Sequence, residues 1–338
     1  MLNRAQNTPE GRMKASENLV NILNKDISTN EVHYPSKNDY DGIRKYYQEN
    51  GYVVIRDVIA KEDCNNLILE FYRSIKKSKQ YFYRQTSSGL AEINIFNSNN
   101  LMINSILNIQ DINRSKFGIF VNKSFDIFSN NILINIVSSI FSCKPVIVQS
   151  MYFEGNPATW AHQDTYYLDS SNPIGILAAW IALEDIDPNA GRFYIYPGSH
   201  LLDIQKNTGD INFSYNHEEY KKHIVEIINK NKLQIRIPQL NAGDILLWSS
   251  KTIHGSMSTV DSSKSRNSLT VHYLPTNSEL IAFQSIKRKL RIHKFNNTEV
   301  HCPKPLNMLK YRILLEFEKK FPKSYVWLKR KVLKAFTR

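Results

Sequence analysis

The chain changes its pattern at residue 146, where short β-branched and aromatic runs begin to alternate with turn sequences. Pro, Gly, Asn and Asp cluster at 187–191, 197–199 and 241–244, as they do in turns. Many short strands separated in this way are typical of a β-sandwich or barrel. The predicted strands are 146–153, 174–183, 193–196, 233–237, 244–249 and 268–274.

Helical patterns flank this β-rich region. Apolar residues recur at helical spacing over 61–76 and 124–142, and a helix over 41–50 is expected to end at Gly51. A strand over 52–56 follows that glycine. Residues 84–100 are rich in Ser and Asn and predict a loop. Residues 201–232 form a polar, Lys-rich insertion of the kind that makes lids or binding loops.

Charge and cysteine content narrow the function classes. The formal net charge of +13 favours anionic partners, such as a phosphorylated or carboxylated substrate, a membrane surface or nucleic acid. Simple solubility in a lysine-rich composition is the alternative. The 3 cysteines are scattered and form no CxxC pair, which argues against a disulfide framework or a zinc site and favours a cytosolic protein. The N-terminal sequence predicts neither a signal peptide nor a membrane span.

The tripeptide His162-Gln163-Asp164 places two metal-ligating side chains two residues apart. In extended backbone, residues i and i+2 point to the same side, so His162 and Asp164 are expected to face one ion. An imidazole and a carboxylate make two thirds of the 2-His-1-carboxylate triad of non-haem Fe(II) oxygenases. The tripeptide is common by chance, and a surface loop without metal is the alternative.

A third ligand has to come from later in the chain, where His200, His254 and His272 are the candidates. His254 follows an apolar strand and precedes a glycine, which allows close approach of the backbone. Arg266 lies 12 residues further on, at the start of the next predicted strand. An arginine suits the far carboxylate of 2-oxoglutarate, because its planar fork binds a carboxylate in a bidentate manner. His200 is assigned to a structural turn and His272 to a polar position in the core.

A set of short motifs occurs in one order between residues 41 and 275, at 51–55, 160–164, 179–186, 191–200, 242–244, 254–256 and Arg266. Together they resemble the phytanoyl-CoA dioxygenase family of Fe(II)/2-oxoglutarate-dependent oxygenases. The resemblance implies a mainly β fold with flanking helices, built on a double-stranded β-helix (a cupin-like jelly roll). It also implies Fe(II) as cofactor, with 2-oxoglutarate and O2 as cosubstrates.

The same resemblance assigns roles to individual residues. It implies His162, Asp164 and His254 as the iron ligands and Arg266 as the residue that binds the 2-oxoglutarate carboxylate. Further residues expected in the cosubstrate pocket are Trp180, Ser256 and, on the first core strand, Gln149 or Met151. Tyr166, Tyr167 and Arg192 are candidate substrate contacts, with loop packing as the alternative for each of them.

The implied reaction is hydroxylation of an unactivated C–H bond with release of succinate and CO2. Family halogenases lack the carboxylate ligand, so Asp164 favours hydroxylation over halogenation. The substrate stays open among small molecules, acyl groups and carrier-linked or lipid-linked compounds, and the positive charge favours an anionic one. Desaturation, epimerisation and ring closure are alternative outcomes. A non-catalytic basic jelly roll is the alternative from another class, and no nucleic-acid partner is expected.

The predicted domain organisation has three parts. Residues 1–40 form a polar N-terminal arm. Residues 41–285 form the dioxygenase domain, with the jelly-roll core at about 145–275 and the lid at 201–232. Residues 286–338 form a basic, helical C-terminal extension with helices over 308–321 and 325–336. The last helix either contacts a membrane surface or packs its apolar face on the domain, and packing is favoured. The expected location is cytoplasmic, with peripheral membrane contact through this helix as an option.

Overall fold

The computed structural model is built around one large, mostly antiparallel sheet. The strands of the described residues are β1 (Tyr52–Ile55), β2 (Phe82–Tyr83), β3 (Ala91–Glu92), β4 (Ile106–Leu107), β5 (Pro145–Phe153), β6 (Leu168–Ser170), β7 (Leu177–Ala182), β8 (Phe193–Ile195), β9 (Ile245–Ser249), β10 (His254–Ser256), β11 (Ser268–Pro275), β12 (Leu280–Ala282), β13 (Ile286–Arg288), β14 (Ile292–Phe295) and β15 (Thr298–His301). In the large sheet the order is β1-β9-β7-β11-β5-β15-β14, and β4 also pairs with β5. Strands β7, β9 and β11 are buried along their whole length, which explains their nearly continuous apolar sequences.

Smaller sheets complete the jelly roll that the sequence predicts. Strands β8 and β10 pair with each other, β6 pairs with the β12–β13 hairpin, and β2 pairs with β3. The long strands predicted near β1, β5, β9 and β11 are confirmed within about three residues. The predicted strand at 233–237 is wrong, since only Arg236 bridges to Ile195. Pro238, which lacks a donor for a sheet ladder, follows at once.

The described helices lie before, between and after these strands along the chain. They are α1 (Tyr40–Asn50), α2 (Lys61–Glu70), α3 (Arg114–Phe128), α4 (Asn131–Phe141), α5 (His217–Lys230), α6 (Leu309–Lys320) and α7 (Pro322–Ala335). A π turn extends α2 to Ile75, close to the predicted end. The single helix predicted over 124–142 is wrong, because the side chain of Asn130 caps a new helix by accepting bonds from the amides of Ile132 and Leu133.

The C-terminal extension differs from its prediction at its start. Residues 286–301 form β13, β14 and β15 instead of helix. Strand β15 joins the main sheet in parallel with β5, with Val300 opposite Ile147. Strand β14 is an edge strand of the sheet. Its Lys and His residues are exposed, so its sequence shows no apolar alternation that would predict a strand. The predicted boundary at residue 285 therefore does not coincide with an edge of the sheet.

The structure describes residues 32–85, 90–156, 158–202, 204, 217–283 and 286–335. Most of the predicted N-terminal arm and part of the predicted lid lie outside these residues. The described residues from Pro35 onward belong to one compact unit. No single described helix is long and apolar enough to cross a membrane, although the bent pair α3–α4 meets that criterion by length and composition.

Gly243 provides a test of the turn that supports the main sheet. Its φ is +89°, and an added Cβ would lie 2.1 Å from the carbonyl oxygen of Ile59. We expect Gly243→Ala to lower the free energy of unfolding by at least ~1–2 kcal/mol, the cost of a left-handed non-glycine residue. Gly118→Ala in α3 is the matched control, because nothing lies within 4 Å of its added Cβ and alanine favours helix. Urea denaturation that ranks the two variants equally would contradict this account.

Candidate metal centre and cosubstrate pocket

Two backbone segments bring the histidines of the predicted triad together. His162 and His254 form an isolated antiparallel bridge, in which each amide donates to the other residue's carbonyl, at 3.0 and 2.9 Å. Directly after this bridge, a 3-10 turn begins at Asp164. The turn carries the carboxylate back toward both imidazoles, so the pairing of two segments that are distant in the sequence assembles all three side chains.

The three side chains converge on one point through their metal-binding atoms. The ligand atoms of His162, Asp164 and His254 all lie within 4.8 Å of one another. Oδ1 of Asp164 is 3.6 Å from Nε2 of His162 and 3.5 Å from Nε2 of His254. In each histidine, Nδ1 donates to a backbone carbonyl, that of Trp160 at 2.8 Å and that of Thr252 at 2.9 Å. These bonds fix the tautomer that leaves Nε2 free to bind a metal.

The protonation states favoured by this environment also suit a metal. Burial lowers the pKa of His254 to about 4, which keeps its imidazole neutral. Burial opposes ionisation of Asp164 as well, but the contacts with His254, His162 and His272 outweigh it and hold the pKa of this carboxyl well below its usual range. A neutral imidazole beside an ionised carboxylate is the form that binds a divalent metal. The residues present therefore fit an iron ion.

Trp248 and His272 hold the second carboxylate oxygen of Asp164. The indole Nε1 of Trp248 donates to Oδ2 at 2.9 Å, and Nε2 of His272 lies 3.5 Å from the same oxygen. Neither role was predicted, although His272 was expected at a polar position in the core and is buried. The ring of Phe193 stacks on that of His254 with centroids 5.4 Å apart. This contact was also not predicted, because the sequence indicates the strand at 193–196 but not its pairing with the strand that carries His254.

We expect Trp248→Phe to weaken iron binding without unfolding the protein. The substitution keeps an aromatic ring but removes the donor to Oδ2 of Asp164, and the loss of such outer partners typically costs about 10–100-fold in metal affinity. Competition with a coloured chelator measures the change. Trp160→Phe, which leaves the backbone carbonyl contact to His162 intact, is the control. Equal iron affinity in wild type and Trp248→Phe would contradict the role given to the indole.

Arg266 is a buried cation without an anionic partner among the described residues. Nη1 donates to the carbonyl of Gly191 at 3.0 Å, while Nε is buried and makes no hydrogen bond. The rings of Phe153 and Trp180 lie 5.5 and 5.7 Å from the guanidinium carbon. Burial lowers the pKa of Arg266 to about 10, so the side chain stays charged at neutral pH. A buried charge of this kind needs an anion, and a carboxylate is the matching one.

The register of the main sheet places the remaining predicted pocket residues. Partners directly opposite in antiparallel strands point to the same face. One row across the sheet therefore contains Gln149, His272, Ala178 and Trp248, and the next contains Met151, Thr270, Trp180 and Leu246. In the first row, Trp248 and His272 contact Asp164. In the second row, the ring of Trp180 lies beside the guanidinium of Arg266. Both Gln149 and Met151 thus share the face of the site, and their roles stay predictions.

Ser256, Arg192 and His200 are the remaining residues for which the sequence predicts a role. Ser256 follows the His254 ligand position, but its hydroxyl donates to Asn156 at 3.0 Å and accepts from the amide of Thr159 at 2.7 Å. Arg192 is not brought to the metal group, since its guanidinium reaches Gln239 at 3.4 Å. Nε2 of His200 contacts the carbonyl of Gln48, in the structural position expected.

Helix α5 of the predicted lid packs on the loop that carries the metal group. Its Tyr220 stacks on Tyr166 with centroids 3.9 Å apart and accepts a bond from the amide of Gln163 at 3.2 Å. Tyr166 is fully buried in this contact. Tyr167 lies nearer the centre, with its ring 6.2 Å from that of His162. Of the two tyrosines predicted as substrate contacts, Tyr167 is therefore the one adjacent to a metal ligand.

A jelly roll with two histidines and an aspartate at one point, beside a buried arginine, defines the class of non-haem iron, 2-oxoglutarate-dependent oxygenases. The family model "Phytanoyl-CoA dioxygenase (PhyH)" matches residues 47–268. The chain belongs to the phytanoyl-CoA dioxygenase family, and it is a non-haem Fe(II)/2-oxoglutarate dioxygenase. Iron and 2-oxoglutarate are thus its cofactor and cosubstrate, as the sequence predicts.

Named relatives show how far the similarity extends. The peroxisomal phytanoyl-CoA dioxygenase of Bos taurus is 22% identical over 70% of this chain and 69% of its own length. The Mus musculus enzyme is 24% identical over 63% of this chain and 62% of its own length. The chain therefore matches about two thirds of these relatives.

Two solved structures share the fold. EctD from S. alaskensis, with 2-oxoglutarate and 5-hydroxyectoine, is 14% identical, with a TM-score of 0.54 over 76% of this chain and 86% of its own. The epimerase SnoN, in complex with Fe3+, alpha ketoglutarate and nogalamycin RO, is 16% identical, with a TM-score of 0.52 over 73% of this chain and 87% of its own.

Proposed function

We propose that the protein hydroxylates an unactivated C–H bond of a small-molecule, acyl or carrier- or lipid-linked substrate, with release of succinate and CO2. The observation that carries the proposal is the presence of a complete His-Asp-His group together with the buried guanidinium of Arg266, which has no anionic partner among the described residues. The first provides three metal ligands and the second provides a fixed site for the far carboxylate of 2-oxoglutarate.

Each part of the site has a task in this reaction. His162, Asp164 and His254 would hold the iron, and Trp248 orients the carboxylate of Asp164. When bound, the iron and 2-oxoglutarate activate O2, which supplies one oxygen atom to succinate and one to the substrate. Arg266 binds the cosubstrate carboxylate against the aromatic walls that flank it. Tyr220 of helix α5 packs on Tyr166 and on the amide of Gln163, and this contact would help to shield the metal loop from water.

The charge distribution changes the expectation about the substrate. Residues 1–285 contain 28 Lys and Arg and 28 Asp and Glu, so this region has no formal net charge. The positive charge of the chain thus gives no argument for an anionic substrate at the metal site. It does favour a lipid-linked substrate indirectly, because the excess lies entirely in the C-terminal segment. A cytoplasmic location is part of the proposal and is supported by three cysteines that form no disulfide.

A substrate screen by mass spectrometry tests the function. Succinate release and the mass of each candidate substrate are scored together, with His162→Ala as the inactive control. The proposal requires succinate together with the gain of one oxygen atom in the product. Succinate with a loss of two hydrogens would replace hydroxylation by desaturation or ring closure, and an unchanged mass with inverted stereochemistry would indicate epimerisation. A protein that binds neither iron nor 2-oxoglutarate would instead be a non-catalytic jelly roll.

A further inference from the structure

The whole net charge of the chain lies in its last 53 residues. Residues 286–338 contain 16 Lys and Arg against 3 Glu, which equals the formal +13 of the complete chain. The preceding 285 residues are balanced. A charge excess confined to one segment, outside the matched family region at 47–268, does not serve general solubility alone.

Helix α6 has an apolar stripe on the side that faces away from the protein. Its inner side contains Tyr311 and Glu318, which are both buried. Its outer side carries Leu309, Ile313 and Phe317 at intervals of four residues, with exposed fractions of 63%, 60% and 38%. Residues four apart lie on one face of a helix. The stripe is therefore a continuous apolar surface that the described residues of the chain leave open to solvent.

Basic side chains flank this stripe. Lys310 lies on one side of it and Arg312 on the other, and both residues are exposed. Glu316, an acidic residue on the outer side, is paired with Lys319 at 2.8 Å. Lys320, one turn after Glu316, adds a further exposed positive charge to the outer surface. The surface therefore combines apolar side chains with a net positive border.

Helix α7 repeats the same combination. Tyr325 is buried, whereas Trp327 and Leu328 are 57% and 48% exposed. The Nζ atom of Lys331 lies 4.2 Å from the centre of the Trp327 ring. The sequence favoured packing of this helix on the domain, with contact to a membrane as the alternative. The structure shows that Tyr325 packs inward while two large apolar residues remain outside.

We propose that the outer faces of α6 and α7 bind a bilayer surface that contains anionic phospholipids. In such helices the apolar residues enter the boundary between headgroups and acyl chains, while Lys and Arg contact the headgroup phosphates. An exposed tryptophan is typical of that boundary. The proposal goes beyond the oxygenase reaction and does not depend on the chemistry at the iron site.

The charge of the surface decides between the alternative occupants. A second copy of the chain would bring two segments of the same high positive charge together, which is unfavourable. Nucleic acid complements the charge, but contacts to phosphates do not require a stripe of Leu, Ile and Phe. An anionic bilayer complements both the charge and the apolar stripe.

Binding to vesicles tests the proposal with the complete protein. We expect cosedimentation with vesicles of phosphatidylcholine and phosphatidylserine at least about tenfold stronger than with phosphatidylcholine alone, and a decrease with added salt. Tryptophan emission should shift to shorter wavelength on binding, and the shift should be smaller in Trp327→Phe. Binding that is absent, or equal for both kinds of vesicle, overturns the proposal.

Two pairs of variants test whether vesicle binding depends on the outer faces of α6 and α7 or only on the overall charge and hydrophobicity of the protein. Ile313→Asn should weaken vesicle binding about tenfold or more, from the lost burial of one large side chain. Leu69→Asn is its matched control, because Leu69 on α2 is 65% exposed. Lys320→Glu with Lys323→Glu should also weaken binding strongly, whereas Lys45→Glu with Lys61→Glu, which has the same net charge, should not. Equal losses in the controls would overturn the assignment to α6 and α7.

Further measurements separate the remaining explanations. Asp164→Ala should bind vesicles as tightly as wild type although it loses iron, so a failure of the oxygenase account leaves this proposal intact. Light scattering that shows a wild-type dimer and a monomeric Ile313→Asn variant, without vesicle binding, would assign the stripe to a second copy. Binding to duplex DNA that responds to the lysine variants but not to Ile313→Asn, without vesicle binding, would assign it to nucleic acid.

Discussion

Replacing Asp164 by Ala is expected to abolish iron binding and turnover while the protein remains folded. The substitution removes the oxygen that faces both imidazoles, at 3.5 and 3.6 Å, and leaves only two protein ligands. Changes in outer partners of a metal site cost about 10–100-fold, so the loss of a direct ligand should exceed that range. Iron content after dialysis and succinate formation measure the two effects.

Asp164→Asn tests whether iron binding is lost only because the protein becomes less stable. Asp164→Ala leaves the donors of Trp248 and His272 without their carboxylate, which lowers stability. Asp164→Asn keeps an oxygen for Trp248 but replaces the charged ligand, so it should remain folded and still bind iron poorly. Glu49→Ala, at an exposed carboxylate on α1, should behave as wild type. Normal turnover in both Asp164 variants would contradict the ligand assignment.

Replacing Arg266 by Leu is expected to remove 2-oxoglutarate binding without loss of the fold. Truncating one partner of a buried charge pair costs about 2–5 kcal/mol, which corresponds to a rise in Kd for 2-oxoglutarate of at least about 30-fold. Without ligand the guanidinium has no anionic partner among the described residues, so its removal relieves a desolvation cost. Iron binding should be retained.

The measurement is a thermal shift with and without 2-oxoglutarate. Wild type should be stabilised by the cosubstrate, and Arg266→Leu should show a similar Tm without ligand and no shift with it. Arg266→Lys retains the charge but loses the planar fork, so its Kd should fall between the two. A full thermal shift in Arg266→Leu would show that the cosubstrate carboxylate binds elsewhere.

The structure brings the three predicted metal ligands together, and the sequence signal that points to them is local. His162, Asp164, His254 and Arg266 stand next to turns or at strand ends, where spacing and residue type are informative. The backbone bridge between His162 and His254 and the indole contact of Trp248 depend on pairing between distant segments. Single-sequence periodicity does not contain that pairing, so these contacts were visible only in the structure.

The fold shows the same division between long and short elements. Strands β5 and β11 were predicted nearly to their ends, because a strand of eight or nine residues that is buried at every position, or at all but one, leaves a clear sequence signal. The three-residue strands β10 and β12 and the basic edge strand β14 leave none. The break between α3 and α4 depends on the side chain of Asn130, which apolar periodicity does not reveal.

The most direct test of the oxygenase account is the visible spectrum of the protein with Fe(II) and 2-oxoglutarate under anaerobic conditions. The account predicts a weak charge-transfer band that requires both additions. The band should be lost in Asp164→Ala, through loss of iron, and in Arg266→Leu, through loss of 2-oxoglutarate. A wild-type protein that gives no band, or a band that persists in both variants, would contradict the assignment of this site as an iron and 2-oxoglutarate centre.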